Sequence, residues 1–244
     1  MGLTSTAYLK TILGVSNNSE DAKLDALRAA AETMIKNYLS RDIEVASYAP
    51  GATSTPAQFG EGDSGYYNGD NSEYLILRQT PVSTLSSVYL DTGGRFGDNP
   101  DGAFASDTIL VAGTDYVLQR DGLLPGTGTR CSYSGIVRKL NGLWPGAWRY
   151  SSGSVNPDEV NHFGNIKVTY TAGYPVVPAD LQYAVALIVG KMRRTASYGG
   201  MPVQSEHYED YSYSLARTMS HEGSLVHQIG EVAQILAKYK RIWI

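Results

Sequence analysis

One cysteine, Cys131, occurs in the 244-residue chain. That excludes an internal disulfide framework and a cysteine-based zinc site, and it fits a reducing compartment or no redox constraint at all. No apolar run approaches the ~20 residues that cross a bilayer. Met1–Leu13 lacks the basic start and long apolar stretch of a signal peptide. Charged residues make up 18% of the chain, below the usual ~25%, so charge-driven disorder is excluded for most of its length. The net charge is −4. A free-standing DNA-binding domain usually carries a basic stripe, and no such excess is present.

What is abundant is glycine, at 26 residues, and tyrosine, at 18 against only four phenylalanines. Such a chain is rich in turns and in amphipathic aromatics, a make-up common in β-rich and interface-forming proteins. The length allows one large domain or two small ones, and a chain of this size buries roughly 70% of its unfolded surface.

Charge and glycine divide the chain into three. Residues 1–43 hold five acids and five bases, residues 44–177 thirteen acids and eight bases, and residues 178–244 six acids and seven bases. The middle segment also holds 19 of the glycines. The fold class expected is α+β: residues 1–43 and 174–244 form a helical core, and residues 44–173 an inserted antiparallel β-rich sheet or barrel. Thr4–Leu13 reads as a short helix ending at Gly14. Ser16-Asn17-Asn18-Ser19 offers caps for a second helix. Its apolar positions, Leu24, Leu27, Ala31, Met34, Ile35 and Tyr38, follow 3–4 spacing.

In the middle the period changes. Tyr74–Leu77, Ser87–Leu90, Ile109–Val111, Tyr116–Leu118, Gly135–Leu140 and Ile166–Tyr170 are short, β-branched or aromatic runs separated by Gly, Asp, Asn and Pro. Residues 49–73 read as a long loop with few apolar anchors. Helix returns with Pro178 at the first helical position, Asp180 in the first turn, and a stripe of Leu181, Val185, Ile188, Val189 and Met192. Residues 197–214 are aperiodic. Ser224 offers a cap for a final helix carrying Leu225, Ile229, Val232, Leu236 and Tyr239.

Four sites invite chemistry, and each has a plainer reading. Gly62-Asp63-Ser64-Gly65 spells a serine-protease nucleophile motif, but that family's histidine and acid precede the serine. Here the first histidine is His162, so a polar turn is the better reading. Gly122–Arg130 is glycine-rich but lacks the Gly-Lys-Ser/Thr ending of a phosphate loop; it reads as a β-turn. His207, Glu209, Asp210, His221, Glu222 and His227 offer metal ligands, yet His221 and His227 stand six apart and share no helix face. They read as solvated surface. Asp98–Gly102 has calcium-loop composition without its order and reads as a turn. No catalytic residue, metal or cofactor is therefore expected.

Two polar–aromatic stretches suit partners instead. The end of the chain, Lys238-Tyr-Lys-Arg-Ile-Trp-Ile244, is apolar where termini are usually polar; it either folds back on the core or docks on another chain. Tyr208, Tyr211 and Tyr213 among acids are either interface anchors or a small cluster under a loop.

Three stretches, in order, resemble the head–tail connector (adaptor) proteins beneath the portal of tailed bacteriophages. The first is Leu9-Lys-Thr-Ile-Leu-Gly-Val-Ser16 with Glu20–Ala31 and Ile35-Lys-Asn-Tyr-Leu-Ser-Arg41. The second is Leu77-Arg-Gln-Thr-Pro-Val82 leading to Ser86–Leu90. The third is Val168-Thr-Tyr-Thr-Ala-Gly-Tyr174 followed by Val177–Ala184. Ile235–Arg241 is similar to the end of such proteins. Residues 49–73, 92–108 and Leu143–Trp148 depart from the minimal, all-helical members. The resemblance implies a non-enzymatic virion protein of the neck, made in the host cytoplasm. It implies a ring matching the portal's twelvefold symmetry, closed by head-to-tail contacts. The ring extends the DNA channel and offers the attachment surface for the tail. Genomic DNA passes without sequence-specific binding, no membrane is involved, and the partners are the portal, other neck or tail proteins and further copies of the chain. By analogy, Tyr208, Tyr211, Tyr213, Tyr239, Lys240, Arg241, Ile242, Trp243 and Ile244 contact the portal or a neighbouring subunit. Glu206, Glu209 and Asp210 are lumen or interface acids. The alternatives are a stopper or tail-terminator, and then a hydrolase using Ser64 or a metal near His207 and His221.

Overall fold

Ser5 starts the first helix: its Oγ accepts the Tyr8 N–H at 3.2 Å, and α1 runs Thr6–Leu13. In this computed structural model the described residues are 2–49, 65–91, 104, 106–146, 164–197, 205–208, 211–214 and 229–240. The fold is α+β, and the chain divides into two units, Met1–Glu44 with Val176–Ile244 and Val45–Pro175.

α1 stops at Gly14, whose φ of +66° is the left-handed conformation glycine adopts at no steric cost. It begins two residues later than the periodicity suggests, because Ser5 is the cap. Thr4 is buried instead, with its N–H donating to Glu32 Oε1 at 3.2 Å. α2 spans Asp21–Leu39. Its cap is Glu20, with no side-chain bond to the helix, so the Ser16–Ser19 stretch does not cap it. That stretch is a turn: Asn18 O accepts the Asp21 N–H at 3.3 Å. Lys10 Nζ, from α1, donates to Asn18 Oδ1 at 2.6 Å and to Asp21 Oδ1 at 2.9 Å. The buried stripe of α2 is Leu24, Ala31, Ile35 and Leu39; Leu27, Met34 and Tyr38 flank it half-buried.

α3 spans Ala179–Ser197. Pro178 sits one position before it, with its carbonyl accepting the Leu181 and Gln182 N–H groups at 3.1 and 3.2 Å, so it caps the helix rather than opening it. α3 is the centre of this unit. Leu181, Ala184, Val185, Ile188 and Val189 are fully buried, and α3 packs against α1, α2 and the last helix. α4 is Gly230–Ala237. Ile229 before it is extended, at φ −110° and ψ 92°, so the last helix starts later than a Ser224 cap implies. Ser224 and Leu225 lie outside the described residues. Arg193 Nε and Nη2 donate to the two oxygens of Glu20 at 3.0 and 3.3 Å, joining the end of α3 to the start of α2. That bond is the main reason the Glu20 carboxyl lies below its ordinary value.

Lys36 Nζ lies 2.7 Å from Glu44 Oε2. Burial works against both charges, but the hydrogen bond and mutual attraction outweigh it: the Glu44 carboxyl is lowered and the Lys36 ammonium raised. A lowered carboxyl contributes stability above its unfolded value of 4.5, and that contribution is lost as pH falls through the folded value. A raised ammonium contributes below 10.5 and is lost above the folded value. Stability is therefore expected to be flat between these limits and to fall by about 1 kcal/mol at the acid end on account of this pair. Denaturant unfolding of the parent and Glu44→Gln across pH 3–7 checks this. The two should converge at low pH; a constant gap down to pH 3 contradicts it.

The β unit holds nine strands among the described residues: β1 Ala46–Tyr48, β2 Tyr66–Tyr67, β3 Tyr74–Ile76, β4 Val82–Leu90, β5 Tyr116–Leu118, β6 Gly122–Leu123, β7 Arg130–Cys131, β8 Ile136–Lys139 and β9 Ile166–Ala172. β9 is the spine of one antiparallel sheet. β4 pairs along its whole length, and β1 and β2 share its other edge. β3–β8–β5 form a second antiparallel sheet. No closed barrel forms among the described residues. Both sheets contribute to one core, Val168 and Tyr170 from β9 and Leu75, Val137 and Tyr116 from the second sheet, with Trp144 among them. The Tyr170 hydroxyl meets the Tyr67 hydroxyl at 3.0 Å and accepts the Gln79 N–H at 3.2 Å.

Two expectations fail in this unit. Ile109–Val111 is no strand; only Ile109 bridges Tyr89. Val111 turns away because its carbonyl accepts the Thr114 and Asp115 N–H groups and its N–H is bound by Asp115 Oδ2. Residues 65–73 are not merely loop, since β2 lies there. Residues 50–64 lie outside the described residues.

Candidate interaction surface

The residues singled out near the C-terminus fall into two places. Tyr alternating with Ser favours strand over helix, and the stretch read as aperiodic contains a hairpin: β10, Ser205–Tyr208, pairs antiparallel with β11, Tyr211–Ser214. Tyr208 is opposite Tyr211, and Glu206 opposite Tyr213. The period of two places these four positions on one face of the ribbon, and His207 and Ser212 on the other. Glu209 and Asp210 lie outside the described residues, as do Arg241, Ile242, Trp243 and Ile244.

Tyr239 and Lys240 are described. Tyr239 is half-buried and its hydroxyl donates to Asp180 Oδ1 at 2.6 Å, joining the segment after α4 to the first turn of α3. Asp180 also accepts the Leu181 N–H at 2.9 Å. Lys240 is exposed, with Nζ 5.4 Å from the Tyr38 ring centroid, an attraction worth about 0.5–1 kcal/mol at such sites. These contacts fix where the last described residue leaves the helical unit.

The sites of possible chemistry separate. Gly122–Arg130 is a hairpin tip between β6 and β7, a strand–turn–strand context rather than the strand–turn–helix of a phosphate loop. Ser64, His162, His221, Glu222, His227 and Asp98–Gly102 lie outside the described residues. Among the described residues no three His, Cys, Asp or Glu side chains group to hold a metal. None of the described helices is long and apolar enough to cross a membrane. Cys131 is fully buried, and burial pushes its thiol up, which makes it a poor nucleophile.

One surface was missed by sequence reasoning. The β3–β8–β5 sheet turns Leu75, Val137 and Tyr116 inward, which leaves the rows Tyr74–Arg138–Val117 and Ile76–Ile136 outward. Tyr74 is 50% exposed, Val117 43% and Leu140, which continues the Arg138 side, 42%. Arg138 and Glu73 pair across this face at 3.2 Å. On the inward side Lys139 Nζ lies 5.2 Å from the Trp144 centroid, and burial lowers its ammonium. The signal available in the sequence was Tyr74-Leu-Ile-Leu77 itself, apolar at every position where a one-sided strand alternates.

No family model matches the chain, and the search of curated proteins returned no match. Among solved structures the chain is similar to a chain of the neck of an empty gene transfer agent particle computed with C6 symmetry, at 15% identity, over 99% of this chain and 91% of that one, with a TM-score of 0.48. A chain of the neck of the native particle computed with C12 symmetry is 14% identical over 98% and 89%, with a TM-score of 0.45. A chain of the virion of the native gene transfer agent particle is 15% identical over 99% and 91%, with a TM-score of 0.47.

Proposed function

We propose that the chain is a head–tail adaptor of a tailed phage or phage-like particle: a non-enzymatic virion protein of the neck that docks on the portal as a ring, extends the DNA channel and presents a surface to the tail. The observation that carries this reading is where the ordered motifs fall. Leu9–Ser16 and Glu20–Ala31 build α1 and α2. Val168–Tyr174 ends β9 and turns at Gly173, φ +107°, before Val177–Ala184 opens α3. Ile235–Lys240 ends α4 and carries the Tyr239–Asp180 bond. The remaining motif, Leu77–Val82 with Ser86–Leu90, leads into and lies on β4, the strand paired with β9, so the resemblance spans the helices and this strand pair.

Docking on the portal or a neighbouring subunit is assigned to Tyr208, Tyr211 and Tyr213 of the β10–β11 hairpin and to Tyr239–Ile244, with Glu206, Glu209 and Asp210 at the lumen or between subunits. DNA passes without sequence readout. A lumen without a strongly basic lining suits this, since each phosphate contact adds salt-dependent affinity that holds DNA in place.

The test is the mass of the protein by light scattering, alone and mixed with the portal of the same particle. A discrete complex of about twelve copies per portal ring, the number a closed ring of the portal's symmetry requires, is expected. Removing residues 241–244 leaves the Tyr239–Asp180 bond in place and should weaken that complex at least tenfold. Full binding by the folded, shortened protein removes the tail from the docking surface. No complex with the intact chain overturns the adaptor reading and favours a tail-terminator or stopper.

A further inference from the structure

β6 and β7 prolong another pair of strands. The β5–β8 pairing continues through Gln119 N–H to Ile136 O at 2.9 Å and Asp121 N–H to Cys131 O at 3.1 Å, and closes with Leu124 N–H to Thr129 O at 2.9 Å. One ribbon therefore starts in the three-stranded sheet and runs past it to a tip. The ribbon is braced where it leaves. The Asp121 carboxylate accepts the Tyr133 and Ser134 N–H groups at 2.6 and 3.0 Å. The Tyr133 ring lies against Gly122, where a Cβ would clash, and its hydroxyl donates to Leu123 O at 3.0 Å. Ser132 pairs with Val82 of β4.

At that braced tip Leu123 is 59% exposed, the most exposed large apolar side chain among the described residues. A chain that uses three side-chain hydrogen bonds, two to the Asp121 carboxylate and one from the Tyr133 hydroxyl, to hold an exposed leucine in place has built a contact element, since ordering a group costs free energy that water does not return. The same unit carries its complement, the outward face of Tyr74, Ile76, Val117 and Leu140. Charge matches as well. The arm carries Arg120 and Arg130 against Asp121, net positive; on the face Glu73 pairs with Arg138 and Asp115, whose carbonyl accepts the Leu140 N–H at 2.8 Å, stands beside them, net negative.

We infer that the β6–β7 arm of one copy seats Leu123 on the outward face of the β3–β8–β5 sheet of the next copy. The two patches differ, so the contact is head-to-tail, the kind that closes rings rather than dimers. A few half-exposed side chains fall well short of the ~800 Å² per partner of a stable interface, so the free protein associates weakly, and copies held side by side associate through raised effective concentration. Ring closure rests on the adaptor reading; the arm-to-face contact does not.

The test is cysteine cross-linking in the double variant Leu123→Cys, Val117→Cys, with the free chain at high concentration and with the chain on the portal ring. Cys131 is buried and does not compete. A ladder of covalent oligomers is expected from the double variant, and none from either single variant. Leu123→Glu should weaken self-association about tenfold, the loss typical of a central apolar anchor, with an unchanged melting curve because the side chain is exposed. A portal-bound ring that gives no ladder overturns the arm contact and leaves the adaptor reading standing. A ladder without portal binding supports the contact while the adaptor reading falls. A covalent dimer from Val117→Cys alone means that the faces meet each other, and overturns it. Neither ladder nor portal binding overturns both.

Discussion

Trp144→Ala is expected to cost the β unit about 3–5 kcal/mol, the range for removing a large buried aromatic. The side chain is fully buried and lies in the core to which both sheets contribute. Its indole N–H donates to Val137 O at 3.2 Å, so alanine leaves a cavity and removes that bond together. The backbone around it allows little collapse. Trp144 N–H donates to Ser72 O at 2.8 Å and its carbonyl accepts the Asn71 N–H at 2.9 Å, while Gly69 has no room for a Cβ against the Trp144 and Pro145 carbonyls. Circular dichroism during denaturant unfolding measures the loss without relying on the removed fluorophore. Trp144→Phe should fall between parent and alanine. A loss under ~1 kcal/mol for alanine would mean that the sheets do not depend on Trp144.

Ile188→Ala is expected to cost the helical unit about 2–5 kcal/mol. Ile188 is fully buried on α3, the helix against which α1, α2 and α4 all pack. Its neighbours Ala184 and Val185 are also fully buried, and a packed interior closes only partly around a lost branch. Hydrogen exchange should show amides of α2, α3 and α4 opening faster by a factor of about 30 or more, the equivalent of ~2 kcal/mol. Acceleration confined to α3 would show that the helices are held by other contacts.

These two positions were not equally legible. Ile188 stands in a 3–4 stripe that any helix at that place would bury, and its role follows from spacing alone. Trp144 sits beside glycine and proline in a stretch with no period. Only the meeting of two sheets, formed by residues as far apart as Leu75 and Val168, makes it a core residue. The hairpin of β10 and β11 shows the same limit: Tyr–Ser alternation over four residues is weak until a partner strand stands opposite. Helix starts were misplaced by a residue or two where the capping bond is a backbone carbonyl, as at Glu20 and Pro178, because every residue type has one.

Local chemistry alone was enough for the α+β class, the long second and third helices with their buried stripes, the strand Ile166–Tyr170, which the structure extends to Ala172, and the lack of a cysteine framework. Each rests on local chemistry: period, capping residues, left-handed glycine, composition. Only the tertiary structure decided which strands pair, that β9 is the spine of one sheet, that the β5–β8 ribbon runs on to a braced tip, and that one face of Tyr74, Ile76 and Val117 is left to water. Those depend on pairings between residues distant in the chain. Many partners are sterically equivalent in sequence, and the choice falls to the one packing that buries Trp144 and Tyr170 together.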